Sequence, residues 1–381
     1  MMNNNIILHN TTADQIQKIE PTLLSVQYLR GIAAIMVVLY HFRANLNGIY
    51  AQKNLGDMLF GRGGVGVDLF FIVSGFIIAY STQKNLGGWD FIVKRIFRLY
   101  PIYLACMLAM ALIPSTSLDV NYLKSLFFIH LDYEGKPPVF GYSTIFVAWT
   151  LTYEILFYTI FFLSQIISHK YRSQITIAVI VLFVIILQYY LNNGQVSFWG
   201  STTVEYDGYL QPILKLLSSP MMIDFSYGIA IYLLMSFSRG TIHKLNDSLV
   251  RVFCISGAIY FTICLMTGYR TFSGPIGAGV SCAALFISIL IYEVKFSIKN
   301  YKSIMLIGNL SYGIYLSHVL VIRFIQSYGG DIGLVRYTSG FSKVLLMISI
   351  TLIISYFLHV FIEKPFIKIG RSVITKTTKR T

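Results

Sequence analysis

Ten apolar stretches separated by polar connections account for most of the chain: residues 23–42, 65–80, 99–113, 145–167, 175–191, 221–237, 252–267, 276–292, 304–325 and 344–362. A helix needs about 17–25 residues to cross the hydrocarbon core of a bilayer. Helices also satisfy their own backbone there, where no water can. The pattern therefore predicts an all-α, polytopic membrane protein with about ten transmembrane helices, the second and third of them short. Two further apolar runs, 123–130 and 210–217, are too short to span and suit interfacial positions. The longest connections follow the third and fifth helices and carry Tyr, Trp, Asp, Gly and Pro, which suits a cap on the outer face. The organisation expected is a short tail over 1–22, one membrane domain over 23–366 and a basic tail over 367–381.

Composition agrees with the pattern. Hydrophobic residues make up 55% of the chain and charged residues only 12%, whereas soluble domains carry about 25% charged residues. The net charge of +14 lies in short connections, not in a separate basic domain, so it reads as topology and anionic-lipid contact. No nucleic-acid partner is expected. With the N-terminus inside, nineteen of the thirty Lys and Arg fall on the inner side and ten on the outer, Arg30 being set aside. Both termini are thus expected to be cytoplasmic. Cys106, Cys254, Cys264 and Cys282 all lie in apolar runs without a Cys-x-x-Cys pair, and read as small buried hydrophobes, not as a metal site. The Asn- and Thr-rich N-terminus has no basic start and no cleavage pattern, so it is read as a retained tail.

Against this apolar background the ionisable residues stand out. Arg30 and His41 lie eleven residues apart in the first stretch, about three turns, so they share one helix face about 16 Å apart. An arginine at mid-helix costs about 2.5–3.5 kcal/mol on insertion scales, which makes such residues functional candidates. The alternating topology brings His41, Asp68, Glu154 and His318 to the outer half of the membrane. A carboxylate that orients an imidazole makes a general base. Simpler roles stay open: His41 as an interfacial residue, Asp68 as a cap or partner of Arg62, His318 as a packing residue. Glu154 lies deep in an apolar run and forms one polar stripe with Thr150 and Tyr158. Arg95 and Arg98 share a face if their segment is helical, and paired guanidinium groups suit phosphate; a basic membrane anchor is the alternative.

Six segments together resemble the membrane acyltransferase family 3, which includes O-antigen and Nod-factor acetylases. They are Leu29-Arg30-Gly31 through His41, Gly66-Val67-Asp68-Leu69-Phe70-Phe71 with Ser74-Gly75-Phe76, Arg95-x-x-Arg98 with Tyr100-Pro101, Trp149 to Glu154 with Phe157-Tyr158, Ser311 through His318, and Glu363-Lys364-Pro365-Phe366. Each is weak alone; six in order over nearly the whole chain are specific. The resemblance implies transfer of an acyl group, usually acetyl, from cytoplasmic acyl-CoA to a hydroxyl of an extracytoplasmic polysaccharide or lipid-linked glycan. The setting is a bacterial inner membrane, and no cofactor is bound. Only about fifteen residues follow Pro365, so the stand-alone type without a fused esterase domain is implied. Arg30, Ser74, Arg95 and Arg98 would hold the donor. His41 would act as base or as a transient acyl carrier, with Glu154 or Asp68 orienting it. Trp149, Tyr153 and His318 would contact the acceptor. A proton-coupled transporter or flippase, or a silent scaffold for glycan assembly, are the rival readings.

Overall fold

The computed structural model describes residues 23–83 and 88–378; the expected tail over 1–22 and Lys84 lie outside the described residues. Fifteen α-helices follow one another: α1 Leu24–Phe42, α2 Leu55–Phe60, α3 Val65–Ser81, α4 Gly88–Ala111, α5 Val120–Leu126, α6 Trp149–Ile167, α7 Arg172–Leu191, α8 Gln211–Leu217, α9 Met222–Lys244, α10 Asp247–Thr267, α11 Val280–Phe296, α12 Lys302–Tyr328, α13 Gly333–Arg336, α14 Gly340–Leu358 and α15 Lys364–Thr378. Each of the ten apolar stretches forms a helix, and the two short runs correspond to α5 and α8. Eight helical spans among the described residues are long and apolar enough to cross a membrane, nine if α8 and α9, bent by 40°, count as one. That count is close to the expected number of about ten. The exception is α4, which is long enough but carries Asp90, Lys94, Arg95 and Arg98 along its first half. It begins eleven residues earlier than the apolar run suggests, so both arginines sit on a helix and not in the connection before one.

Contacts at the helix ends define two faces. On one, Arg62 donates to the carbonyls of Leu265 and Met266. There Lys215 also donates to Tyr133 O at 2.7 Å, tying together the two long connections predicted as a cap. On the other, Glu293 accepts from the N–H groups of Leu24 and Ser25 and from the Ser25 hydroxyl. That carboxylate satisfies donors that the first turn of any helix leaves free. Both ends of the described chain lie on this second face. Residues expected as a free basic tail continue as α15, whose Gly370 backs onto Phe97 of α4, 2.9 Å from where a Cβ would lie.

Close helix approaches depend on small residues. The parallel helices α3 and α9 meet at Gly75 and Gly228, where a Cβ would lie 2.1 Å from Phe225 O and 1.9 Å from Ile72 O. Helices α1 and α12 also run side by side and parallel. Gly31 meets Gly308 toward one end, where a Cβ on Gly308 would lie 2.2 Å from Gln27 O. His41 meets His318 toward the other.

Candidate active site

His41 and His318 form the polar centre of the α1–α12 seam. His318 is fully buried. Its Nδ1 lies 3.2 Å from Ile314 O and its Nε2 3.2 Å from His41 Nδ1. His41 Nδ1 in turn lies 2.9 Å from Val37 O. A ring nitrogen facing a carbonyl must carry a proton to bond it, so this network assigns the Nδ1–H tautomer to both rings. His318 Nε2 is then a lone pair that accepts from His41 Nδ1–H. His41 Nε2 is left with an unshared lone pair and no hydrogen bond among the described residues. The group orienting His41 is thus a second imidazole. Neither Glu154 nor Asp68, the carboxylates expected in that role, is hydrogen-bonded to it. Phe146 packs on the His41 ring at 5.0 Å.

A cleft of about 750 Å³, its open mouth included, opens between α1, α3, α4, α6 and α12. Arg30, Ser74, Arg95, Arg98, Glu154 and Tyr158 line it. Four donor residues predicted from sequence therefore gather in one chamber, and Glu154 joins them there. Its Oε1 accepts from Ser74 Oγ at 3.0 Å and from the Tyr158 hydroxyl. It forms no ion pair with Arg30, Arg95 or Arg98 among the described residues. The Arg95 guanidinium lies 5.5 Å from the Tyr158 ring centre and donates to Ser81 Oγ at 3.1 Å. Its Nε is buried without a partner. Tyr315 links this chamber to the histidines. It lines the cleft, its hydroxyl is held by Val147 O and Thr150 Oγ1, and its ring is 6.1 Å from that of His318.

Through Ile77, Arg95 and Arg98 the chamber joins a vestibule of about 960 Å³ on the face that carries the chain ends. Lys94 and Arg371 add two further cations to its wall, Arg371 from α15. The guanidinium groups of Arg98 and Arg371 have no hydrogen bond or ion pair among the described residues. Sequence reasoning missed Arg371 because the segment reads as a tail. The available signal was the spacing of Ile367, Gly370 and Ile374, which places one face of α15 against α4.

Four further predicted site residues lie outside the chamber. Asp68 is fully buried. Its Oδ1 accepts from Gly274 N at 2.6 Å, and its neighbour is the equally buried Asp224 of α9. It anchors the bend before α11, a π-helical turn over Pro275–Gly279 with Gly277 out of helical geometry. Tyr153 is fully buried, its ring packed against Phe71 and Trp149 and its hydroxyl donating to Pro138 O at 2.7 Å. Trp149, partly buried, packs against Phe71 as well. Tyr153 is thus enclosed by the core and is not placed to stack on a sugar. His318, expected at the acceptor, instead stands behind His41.

Comparison with known proteins places this arrangement. Over 320 residues the chain is 26% identical to the exopolysaccharide production protein ExoZ of Rhizobium meliloti, covering 81% of this chain and 91% of that protein. It is 24% identical to the putative peptidoglycan O-acetyltransferase YrhL of Bacillus subtilis, covering 88% of this chain and 54% of YrhL. It is likewise 24% identical to the O-acetyltransferase OatA of Staphylococcus aureus, covering 90% and 57%. The chain thus spans little more than half the length of the latter two. No solved structure matches. The profile of the family described as "Acyltransferase domain" matches residues 23–360; with most of its length matched, and with a helical membrane fold, the chain belongs to this acyltransferase family.

Proposed function

We propose that this protein is a membrane O-acyltransferase that moves an acyl group, most simply acetyl, from acyl-CoA to a hydroxyl of a glycan on the opposite side of a bacterial inner membrane. One observation carries the reading. A cationic vestibule opens into a polar chamber, and Tyr315 on the chamber wall packs on His318, the partner of a His41 whose Nε2 has no hydrogen bond among the described residues. The excess of Lys and Arg on the face with the chain ends supports a cytoplasmic vestibule under the positive-inside tendency. The relatives' names supply the acetyl group and the glycan acceptor.

The proposed donor pose follows from charge. Arg98, Arg371 and Lys94 hold the nucleotide phosphates, since guanidinium forks pair bidentately with phosphate oxygens. Arg95 stands where the vestibule narrows, and the pantetheine arm runs past Ser74 and Arg30. His41 Nε2 takes the proton of the acceptor hydroxyl as its oxygen attacks the thioester carbonyl. The tetrahedral adduct collapses, the C–S bond breaks, and the leaving sulfur takes the proton back from His41. His318 Nε2 and Val37 O stabilise the transient imidazolium through Nδ1–H, the part an orienting carboxylate plays in a hydrolase triad. With Nδ1–H already held, Nε2 is suited to base chemistry. The test is NMR of surface glycan from wild type, a deletion strain and a His41→Ala strain. Acetyl signals should vanish in the last two while the variant stays in the membrane at wild-type abundance. Unchanged acetylation in His41→Ala would overturn the mechanism.

A further inference from the structure

On the face opposite the chain ends a second cleft, of about 890 Å³, lies between the α4–α5 connection, the 131–146 segment and α12. Phe146 belongs to its wall and also packs on His41, so the cleft adjoins the proposed base from the side away from the donor chamber. Its lining is polar but mostly uncharged, with Ser115, Thr116, Asn121 and Thr144 among it. Tyr142 stands at its edge, 52% exposed. Hydroxyls and amides with an open aromatic face suit sugar hydroxyls and the C–H face of a pyranose. The volume falls within the range of about 300–1,000 Å³ usual for small-molecule sites.

Two charged residues line this cleft and differ in engagement. Asp119 Oδ1 accepts from the N–H groups of Asn121 and Tyr122, capping α5. Arg323 is half-buried and has neither a hydrogen bond nor an ion pair among the described residues. It follows His318 by five residues on α12, about 7.5 Å farther along the axis. A guanidinium without a counter-ion, partly withdrawn from water beside a reacting centre, matches a bidentate anion.

We infer that this cleft is the acceptor subsite and that Arg323 selects a glycan bearing a negative charge, a sugar carboxylate or a phosphodiester. The inference rests on the acyl-transfer reading above and assigns to its acceptor a place and a chemical class.

The test uses the full chain in lipid nanodiscs, radiolabelled acetyl-CoA and, as acceptor, the surface polysaccharide of the producing cell, freed of acetyl groups by mild alkali. Three forms are compared: intact, carboxyl-reduced, and stripped of phosphate. Wild type should lose acceptor affinity on one of the two treatments, its acceptor KM rising about tenfold to a hundredfold, the scale of a charge-assisted hydrogen bond; which treatment does so identifies the anion. Arg323→Gln should show the same loss on intact glycan, little change on the neutralised form, and an unchanged KM for acetyl-CoA. Tyr142→Ala should raise acceptor KM on every form, again without touching the donor KM, which checks the cleft independently of Arg323. Equal KM for all three forms in wild type would overturn the charge assignment. An Arg323→Gln enzyme with normal acceptor KM would do the same and leave Arg323 as a lipid-headgroup anchor, and an unaffected Tyr142→Ala would remove the cleft from acceptor binding. If wild type labels no glycan at all, the acyl-transfer reading itself fails.

Discussion

Two pairs of ionisable side chains lie inside the helical bundle, and they differ in what surrounds them. His41 and His318 meet across α1 and α12 in a network that fits the Nδ1–H tautomer of both rings, and His41 Nε2 has no hydrogen bond among the described residues. Asp68 and Asp224 meet across α3 and α9, and both are fully buried. Asp68 spends one oxygen on a backbone N–H. None of the four residues itself lines a cleft, but Tyr315 and Phe146, whose rings pack on the histidines, each line one. Both pairs are costly in a membrane. Only the first has an open cleft nearby on each side. The cost of a buried ionisable group thus marks a constraint, and what its immediate neighbours border, open clefts or packed core, separates a chemical constraint from an architectural one.

Four experiments press on this contrast. His41→Ala should lower kcat by about 10²- to 10⁴-fold, the range ascribed to general acid–base catalysis, at unchanged acetyl-CoA affinity measured by equilibrium binding. His318→Ala should cost about 10- to 100-fold in kcat and move its pH profile. His318→Gln, whose amide oxygen can still accept from His41 Nδ1–H, should recover part of the loss; a positioning role predicts that rescue and mere packing does not. Arg371→Gln should raise the KM for acetyl-CoA a few-fold with kcat retained, a test of α15 as part of the donor site. Asp68→Asn keeps the oxygen that accepts from Gly274 N, and should leave activity per folded molecule within about twofold. Asp68→Ala should instead lower the melting temperature, since an orphaned buried N–H costs about 1–3 kcal/mol. An inactive Asp68→Asn protein with normal membrane abundance would erase the distinction between the two pairs.

The sequence pattern located the helices because apolar runs of membrane length have few other uses. It misplaced the start of α4 because Lys94, Arg95 and Arg98 look like a flank; they are tolerated on the helix because they face the vestibule and the chamber instead of lipid. Arg30, Ser74, Arg95 and Arg98, grouped from sequence, line one chamber, as relative depth follows from position along each helix. Partnerships across the bundle were not legible. His41 and His318 are 277 residues apart, and nothing local distinguishes a histidine backed by another histidine from one backed by a carboxylate. Asp224 carried the same signal as Asp68, a lone acid in an apolar run, and reading it would have suggested their pairing. Tyr153 misled because its position near a helix end suits a sugar platform, while its side chain is fully enclosed by the core.

The α1–α12 seam works as a pair of tongs. Its tips are the two imidazoles, and its pivot is the contact of Gly31 with Gly308, about 15 Å away along the axis. A methyl group at Gly308 would strike Gln27 O and splay the tips, whose grip is a single 3.2 Å hydrogen bond. A random mutagenesis screen for lost activity should therefore return Gly308 alongside His41. Such a hit would mark the jaw setting of the tool, far from any place where substrate is held.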